Sequence, residues 1–308
     1  MLNESIWIRD IMVTSLVTVS PDDHVLDVID RLLQAEISGA PVIDNLGMYH
    51  GVLSEKSCLD AFSTIVEHTE SRCGSEGAPV HASEFMNRRL VTLPPDMDAV
   101  KAIEYLLQHR ISGAPVVNKQ GEYLGVFSES SALKFVISLS YDQLPSSDVA
   151  AFMNAGRGRV VNEQTTLERV REIYRCEPHR RLPVLTGDRV VGQISRRDAL
   201  RAELTRLANH LNSAATDQLA NQIGFTDSDA GLTVGHFMDR TAVTIEPDKD
   251  LMSAAHIFFS TSARRLPVLE NGKLAGQVSR RDVLRAASTL LEPAPEDGPQ
   301  ALYLSSLA

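Results

Sequence analysis

Ile37-Ser38-Gly39-Ala40-Pro41-Val42 returns, letter for letter, as Ile111-Ser112-Gly113-Ala114-Pro115-Val116. Met12, Pro41 and Gly51 recur at the same interval as Met86, Pro115 and Gly125. A constant shift of 74 positions is the mark of a gapless duplication. The second half carries its own pair. Arg180-Arg181-Leu182-Pro183-Val184-Leu185 returns as Arg264-Arg265-Leu266-Pro267-Val268-Leu269, and Gly192-Gln193-Ile194-Ser195-Arg196-Arg197-Asp198 as Gly276-Gln277-Val278-Ser279-Arg280-Arg281-Asp282. All four copies run Met, helix, Pro-Val, Gly-x-x-Ser, with Met12, Met86, Met153 and Met238 as their first landmarks.

The first copy shows the elements of a unit. Leu16 to Val19 is a β-branched run and predicts a strand. Ser20-Pro21-Asp22-Asp23 predicts a helix start, with Ser20 as N-cap and Pro21 at the first helical position. Val25, Leu26, Val28, Ile29, Leu32 and Leu33 then form one apolar face at helical spacing. Pro41 to Ile43 and Tyr49 to Leu53 predict two strands around a turn, and Ser54 opens a second helix through Phe62. The unit is therefore strand-helix-strand-strand-helix, an α/β (α+β) pattern too small to stand alone, so units should pair by their sheets.

Unit one is placed at 1–68, unit two at 80–143, unit three at 148–211 and unit four at 232–292, giving modules at 1–143 and 148–292. Loops are expected between Glu70 and Pro79 and at Leu144–Ser147, an extended helix at Leu200–Leu219, a polar loop at Gly224–Gly231, and a flexible tail at 293–308.

The chain has 308 residues and a formal charge of −10. Bulk charge therefore does not hold it to nucleic acid or an anionic membrane, although a local basic site is allowed. Cys58, Cys73 and Cys176 lack metal or redox spacing and point to reduced thiols in a cytoplasmic protein. No apolar run spans a membrane, and no signal peptide is indicated.

The order of elements, the Pro-Val strand and the Gly-x-x-Ser-x-x-Asp turn resemble the CBS-domain family. Four units imply two Bateman modules, an architecture similar to the gamma subunit of AMP-activated protein kinase. In that family the clefts between paired units hold adenosine-containing ligands. The Asp binds the ribose hydroxyls, the Ser helps with ribose or phosphate, and a basic pair before Pro-Val reaches phosphate. By that resemblance the nucleotide-binding residues are Ser195 and Asp198 in unit three and Ser279 and Asp282 in unit four. Arg180, Arg181, Arg264 and Arg265 form the basic pairs. Arg196, Arg197, Arg280 and Arg281 add charge beside them, and backbone near Val160 and Thr244 meets the adenine. Unit one has Ser54-Glu55-Lys56-Ser57 and unit two Ser128-Glu129-Ser130-Ser131, so both lack the Asp and put Glu where the later units have Arg. Ser38-Gly39 and Ser112-Gly113 replace the basic pairs.

Eight arginines at four repeated sites in an acidic chain suggest a local anion pocket, since the guanidinium fork matches phosphate oxygens. His179 is expected to add to it. Two plainer readings stay open. Ser-x-x-Asp also describes a capping box, and the arginine pairs could bridge to Asp198 or Asp282. Trp7 should pack on the module, and Ile257, Phe258 and Phe259 should serve core or interface. No nucleophile, metal cluster or acid–base pair stands out, so no catalytic residue, metal or catalytic cofactor is expected. The expected function is a non-catalytic regulatory protein that binds AMP, ADP or ATP in the second pair of units. It would signal by a population shift to a partner such as an enzyme or transporter, and would form a homo-oligomer, a dimer. The alternatives are an adenine dinucleotide, S-adenosylmethionine, or a ligand-free interaction scaffold.

Overall fold

The computed structural model describes residues 6–70, 80–88, 91–140, 148–155, 158–177, 179–211, 232–261 and 263–289. The loops expected between Glu70 and Pro79 and at Leu144–Ser147, the segment Gly224–Gly231, the helix beyond Leu211 and the tail 293–308 lie outside those residues.

A short helix, α1 (Ile8–Ile11), precedes unit one, which is built from α2 (Val25–Gln34), β1 (Gly39–Ile43), β2 (Tyr49–Ser54) and α3 (Glu55–Glu70). α4 (Ala82–Phe85) precedes unit two, with α5 (Ala99–Gln108), β3 (Gly113–Val117), β4 (Tyr123–Ser128) and α6 (Glu129–Ser140). A 3-10 turn, Val149–Ala151, and β5 (Asn154–Ala155) precede unit three, with α7 (Leu167–Cys176), β6 (Arg181–Thr186), β7 (Arg189–Ser195) and α8 (Arg196–Leu211). α9 (Val234–Phe237) precedes unit four, with α10 (Leu251–Ser260), β8 (Arg265–Glu270), β9 (Lys273–Ser279) and α11 (Arg280–Ser288).

Every unit is thus helix, antiparallel hairpin, helix. The expected first strand shrinks to a single parallel bridge in each: Val19 to Val42, Leu93 to Val116, Val161 to Val184, Ile245 to Val268. Among the described residues two backbone bonds hold each one, as Val19 N–H to Pro41 C=O and Ile43 N–H to Val19 C=O show. The partner strand's proline has no N–H to extend the ladder.

The first helix also begins later than the sequence predicts. Ser20 to Asp23 forms a separate turn, with the Ser20 N–H on Asp23 Oδ2 at 3.0 Å. His24 is the N-cap, accepting from Leu26 N–H through Nδ1. Asp98, Thr166 and Asp250 hold that position in the other units. The start is set by a neighbour, because the Val25 N–H donates to Val80 C=O, outside the helix and outside the unit.

That contact belongs to an exchange of arms. α4 lies on unit one, with Ala82 N–H on Asp23 C=O at 2.9 Å. α1 lies on unit two, with Ile8 N–H on Met97 C=O at 3.0 Å and Ile8 buried in that unit's core. Likewise, Val149 N–H reaches Lys249 C=O in unit four, and Val234 N–H reaches Thr165 C=O in unit three. Half-buried Trp7 sits in this arm, bridged to Asp98, with Arg9 over its ring at 6.0 Å.

Each repeated Met lands on the repeated Gly of its partner unit. A Cβ on Gly125 would lie 3.1 Å from Met12 Sδ and 2.6 Å from Val13 C=O, too close for any side chain. Gly51 meets Met86, Gly192 meets Met238 and Gly276 meets Met153 in the same way.

The modules stack within one chain. α3 packs on α8 and α6 on α11. The apolar core is accordingly divided across the modules, one half joining units one and three, the other units two and four. Phe258 is in the second core, with Ile257 and Phe259 packed against it.

Candidate functional site

The arginine pairs stand at the entrance to the last helix of units three and four. Arg181 faces Ser195 across the β6–β7 ladder, and Arg265 faces Ser279 across β8–β9. The carbonyl of Arg180 accepts from Arg196 N–H, and that of Arg264 from Arg280 N–H, both at 3.1 Å. Strand register thereby brings both motifs of each unit to one place.

Within it, Ser and Asp form a capping box. Asp198 Oδ2 accepts from the Ser195 N–H at 2.7 Å and from its hydroxyl at 2.6 Å. Asp282 Oδ2 accepts from the Ser279 N–H at 2.8 Å and from its hydroxyl at 2.5 Å. Among the described residues the other oxygen, Oδ1, has only a distant cation, Arg201 at 4.0 Å from Asp198 and Arg285 at 3.9 Å from Asp282. Burial pushes the Asp198 carboxyl above its ordinary range, against the lowering effect of the Ser195 bonds and the field of Arg181. Arg265 feels the field of Asp282 but is held below its ordinary value chiefly by burial. Among the described residues neither arginine lies within ion-pair distance of its carboxylate. Val160 and Thr244 are half-buried and immediately precede the bridging residues Val161 and Ile245.

Four other arginines have structural partners. Buried Arg196 donates from Nη2 to the carbonyls of Tyr174 and Glu177, each at 3.2 Å, and lies over the Tyr174 ring. Arg280 does the same with Phe258 at 2.9 Å and Thr261 at 3.2 Å. Both therefore cap the C-terminal end of their unit's first helix, where a cation suits the helix dipole. An arginine in the first turn of one helix is at the same time the cap of another. Arg197 reaches across the stack to Glu55, Nε to Oε1 3.6 Å, and donates to the Glu36 carbonyl. Arg281 donates from Nε to Glu129 Oε1 at 2.8 Å. His179 is turned to Glu177 at 3.1 Å, which Arg159 also holds, so it contacts that ion pair rather than the cavity described next.

A cavity of about 330 Å³ opens between module one and these arginines. Its walls are the turns Ser38–Pro41 and Ser112–Pro115, with Ser54 and Ser128, and Arg180, Arg264 and Arg280 enter from module two. Arg180 Nη1 donates to Ser112 Oγ at 3.0 Å. The Arg264 side chain has no hydrogen bond or ion pair among the described residues. Burial, then the neighbouring Arg180, pulls it down to about 10, against the attraction of Glu55 and Glu129. The sequence reading left module one poor in charge. The structure supplies that charge from the other module. The signal for this cross-module arrangement was the exchange of Glu for Arg at matching repeat positions.

The family model of the CBS domain matches residues 8–64, 82–138, 144–205 and 234–289. The chain belongs to the CBS-domain family. The protein MJ1225 of Methanocaldococcus jannaschii is 25% identical over 207 residues, covering 66% of this chain and 68% of its own. Its crystal structure, described as a proposed archaeal homologue of γ-AMPK, superposes with a TM-score of 0.75 at 20% identity, over 91% of this chain and 99% of that one. A Pyrococcus horikoshii protein superposes with a TM-score of 0.55 at 16% identity, over 92% of this chain and 100% of its own. These likenesses establish the CBS fold and the four-unit architecture. Matches to inosine-5'-monophosphate dehydrogenases, such as that of M. jannaschii at 23% identity, take in 41% of this chain and 22% of the enzyme. No helix among the described residues is long and apolar enough to cross a membrane.

Proposed function

We propose that this CBS protein is a non-catalytic regulator that binds an adenine nucleotide, AMP, ADP or ATP, between units three and four and signals to a partner by a change in how its units sit together. The observation that carries the reading is the pair of carboxylates Asp198 and Asp282. Each is fixed by its own serine through Oδ2, while Oδ1 accepts no hydrogen bond among the described residues. A free carboxylate oxygen held rigidly beside a basic strand suits a ribose hydroxyl with a phosphate close by. Arg181 and Arg265 supply that cation, and Val160 and Thr244 the backbone beside the base. The capping box and the ligand site are compatible, because the cap uses one carboxylate oxygen and the sugar the other. Arg196, Arg197, Arg280 and Arg281 hold this arrangement in place rather than touching ligand.

Thermal unfolding of the full chain with AMP, ADP, ATP, S-adenosylmethionine and a diadenosine polyphosphate tests the reading. A nucleotide at a hundred times its dissociation constant adds about 2.7 kcal/mol. The shift should appear with a phosphorylated adenosine and vanish in the Asp198→Asn, Asp282→Asn double variant. No shift with any nucleotide would leave Ser-x-x-Asp as a capping box alone.

A further inference from the structure

Module one lacks both the acid and the basic pair, yet its cleft contains Arg264, whose side chain has no hydrogen bond or ion pair among the described residues. We propose that the cavity between the Ser38–Pro41 and Ser112–Pro115 turns is a second, composite ligand site for a small phosphorylated compound with an apolar body and no vicinal diol, held by arginines of module two. This goes beyond the nucleotide reading and uses neither Asp198 nor Asp282.

Three observations carry it. Arg264 is half-buried, faces the cavity, and its side chain has no hydrogen bond or ion pair among the described residues. Burying a guanidinium without a partner is costly, and an anion would remove that cost. Arg180 enters the same cavity and is already fixed on Ser112. Three guanidiniums line the space against one carboxylate, Glu129, and that carboxylate is taken by Arg281.

The rest of the wall gives the ligand class. Ser54 and Ser128 line the wall, and behind them, at the positions where module two has Asp198 and Asp282, module one has Ser57 and Ser131. These are bonded to Ser54 Oγ at 3.1 Å and Ser128 Oγ at 3.3 Å. Hydroxyls can donate to a phosphate but cannot grip a diol as a carboxylate does. On the other side, Val13 and Val17 line the cavity while 44% and 37% exposed, an apolar surface left without a cover. An anionic head against Arg180 and Arg264 and an apolar body against these valines would satisfy both. Because the head is held by module two and the body by module one, binding would favour the stacked arrangement over any other.

Isothermal titration calorimetry of the full chain with inorganic phosphate and with phenyl phosphate tests this. Phenyl phosphate, which carries both halves, should bind at least tenfold tighter than phosphate. Arg264→Gln should weaken it at least tenfold, while the Asp198→Asn, Asp282→Asn variant should bind it unchanged. Should Arg264→Gln fail to fold, Arg180→Gln, at an exposed residue, should show the same loss. No binding to the wild type, equal affinity for the two probes, or undiminished binding after the arginine substitution would overturn the proposal. AMP titrated into Arg264→Gln separates the two sites. AMP binding retained there while phenyl phosphate is lost places the ligands apart. Phenyl phosphate bound by a wild type that ignores AMP sinks the nucleotide reading and leaves this one standing.

Discussion

Arg281 of unit four donates to Glu129 of unit two at 2.8 Å, and Glu129 occupies the repeat position that Arg280 holds in unit four. The same relation links Arg197 to Glu55 at 3.6 Å, with Arg196 at the matching position. The charge change between the halves is therefore complementary across the stack of α3 on α8 and of α6 on α11. Both carboxylates and both arginines are largely shielded, Glu129 with 11% and Arg281 with 25% of its side chain exposed. Glu129→Arg should cost about 3–5 kcal/mol, because it leaves two buried cations facing one another. The Glu129→Arg, Arg281→Glu exchange should recover most of that loss. Urea denaturation of the wild type, both single variants and the exchanged pair measures it, and a double variant as weak as the single ones would sink the idea.

Gly125 faces the arm of unit one, and a Cβ there would stand 2.6 Å from Val13 C=O. Gly125→Ala should destabilise by about 1–3 kcal/mol through overpacking. The disturbed contact is between units, so protease should cut the 8–13 arm earlier in the variant. Gly47, at φ +80 and with nothing within 4 Å of its Cβ position, serves as the control for backbone strain alone.

Tyr49 and Tyr123 stack at 6.5 Å where the two hairpins of module one meet, and burial pushes both phenols up to about 12. In the unfolded chain they ionise near 10. Between pH 10 and 12 the folded state holds more protons than the unfolded one, so stability falls as pH rises through that window. Melting temperature against pH should show that fall, with a shallower slope in Tyr123→Phe. Neutral-pH stability should hardly change in that variant, because Tyr123 Oη is buried without a hydrogen-bond partner among the described residues.

Arg264→Met removes a desolvated charge set between Arg180 and Arg280 and keeps an unbranched side chain in its place. The ligand-free protein should melt at the same temperature as the wild type or above it, the usual exchange of stability for function at a binding site. A drop of several degrees would show that Glu55 and Glu129 need this arginine in the empty protein.

Much of this could be read in the chain. The fourfold repeat showed the hairpins, the long helices and the Gly and Met landmarks, because those obey local patterns that recur at a fixed shift. The exchange of arms was hidden for the same reason. Met12 and Gly51 keep their spacing whether Met12 touches Gly51 or Gly125, so the repeat cannot say which unit it covers. Ser20 looked like an N-cap because Pro21 and Asp22 follow it. The helix instead starts at His24, where the Val80 carbonyl arrives from another unit. Arg196 and Arg280 read as anion ligands from composition. Their role as C-caps depends on α7 and α10 ending beside them, which only the tertiary packing decides.

The acid at the proposed nucleotide site also has a sign in stability. Asp198 is half-buried, and desolvation raises its carboxyl above its ordinary value of 3.8. From there up to the raised value the folded state holds the extra proton, so stability falls as pH rises. Asp198→Asn removes that slope while its amide oxygen still accepts from Ser195. The most direct measurement is calorimetric titration of AMP, ADP and ATP into the wild type and into the Asp198→Asn, Asp282→Asn variant, with both proteins shown to be folded. The account predicts saturable binding of at least one nucleotide to the wild type and a loss of at least tenfold in the variant. Equal affinity in the two proteins, or no heat with any nucleotide, would contradict it.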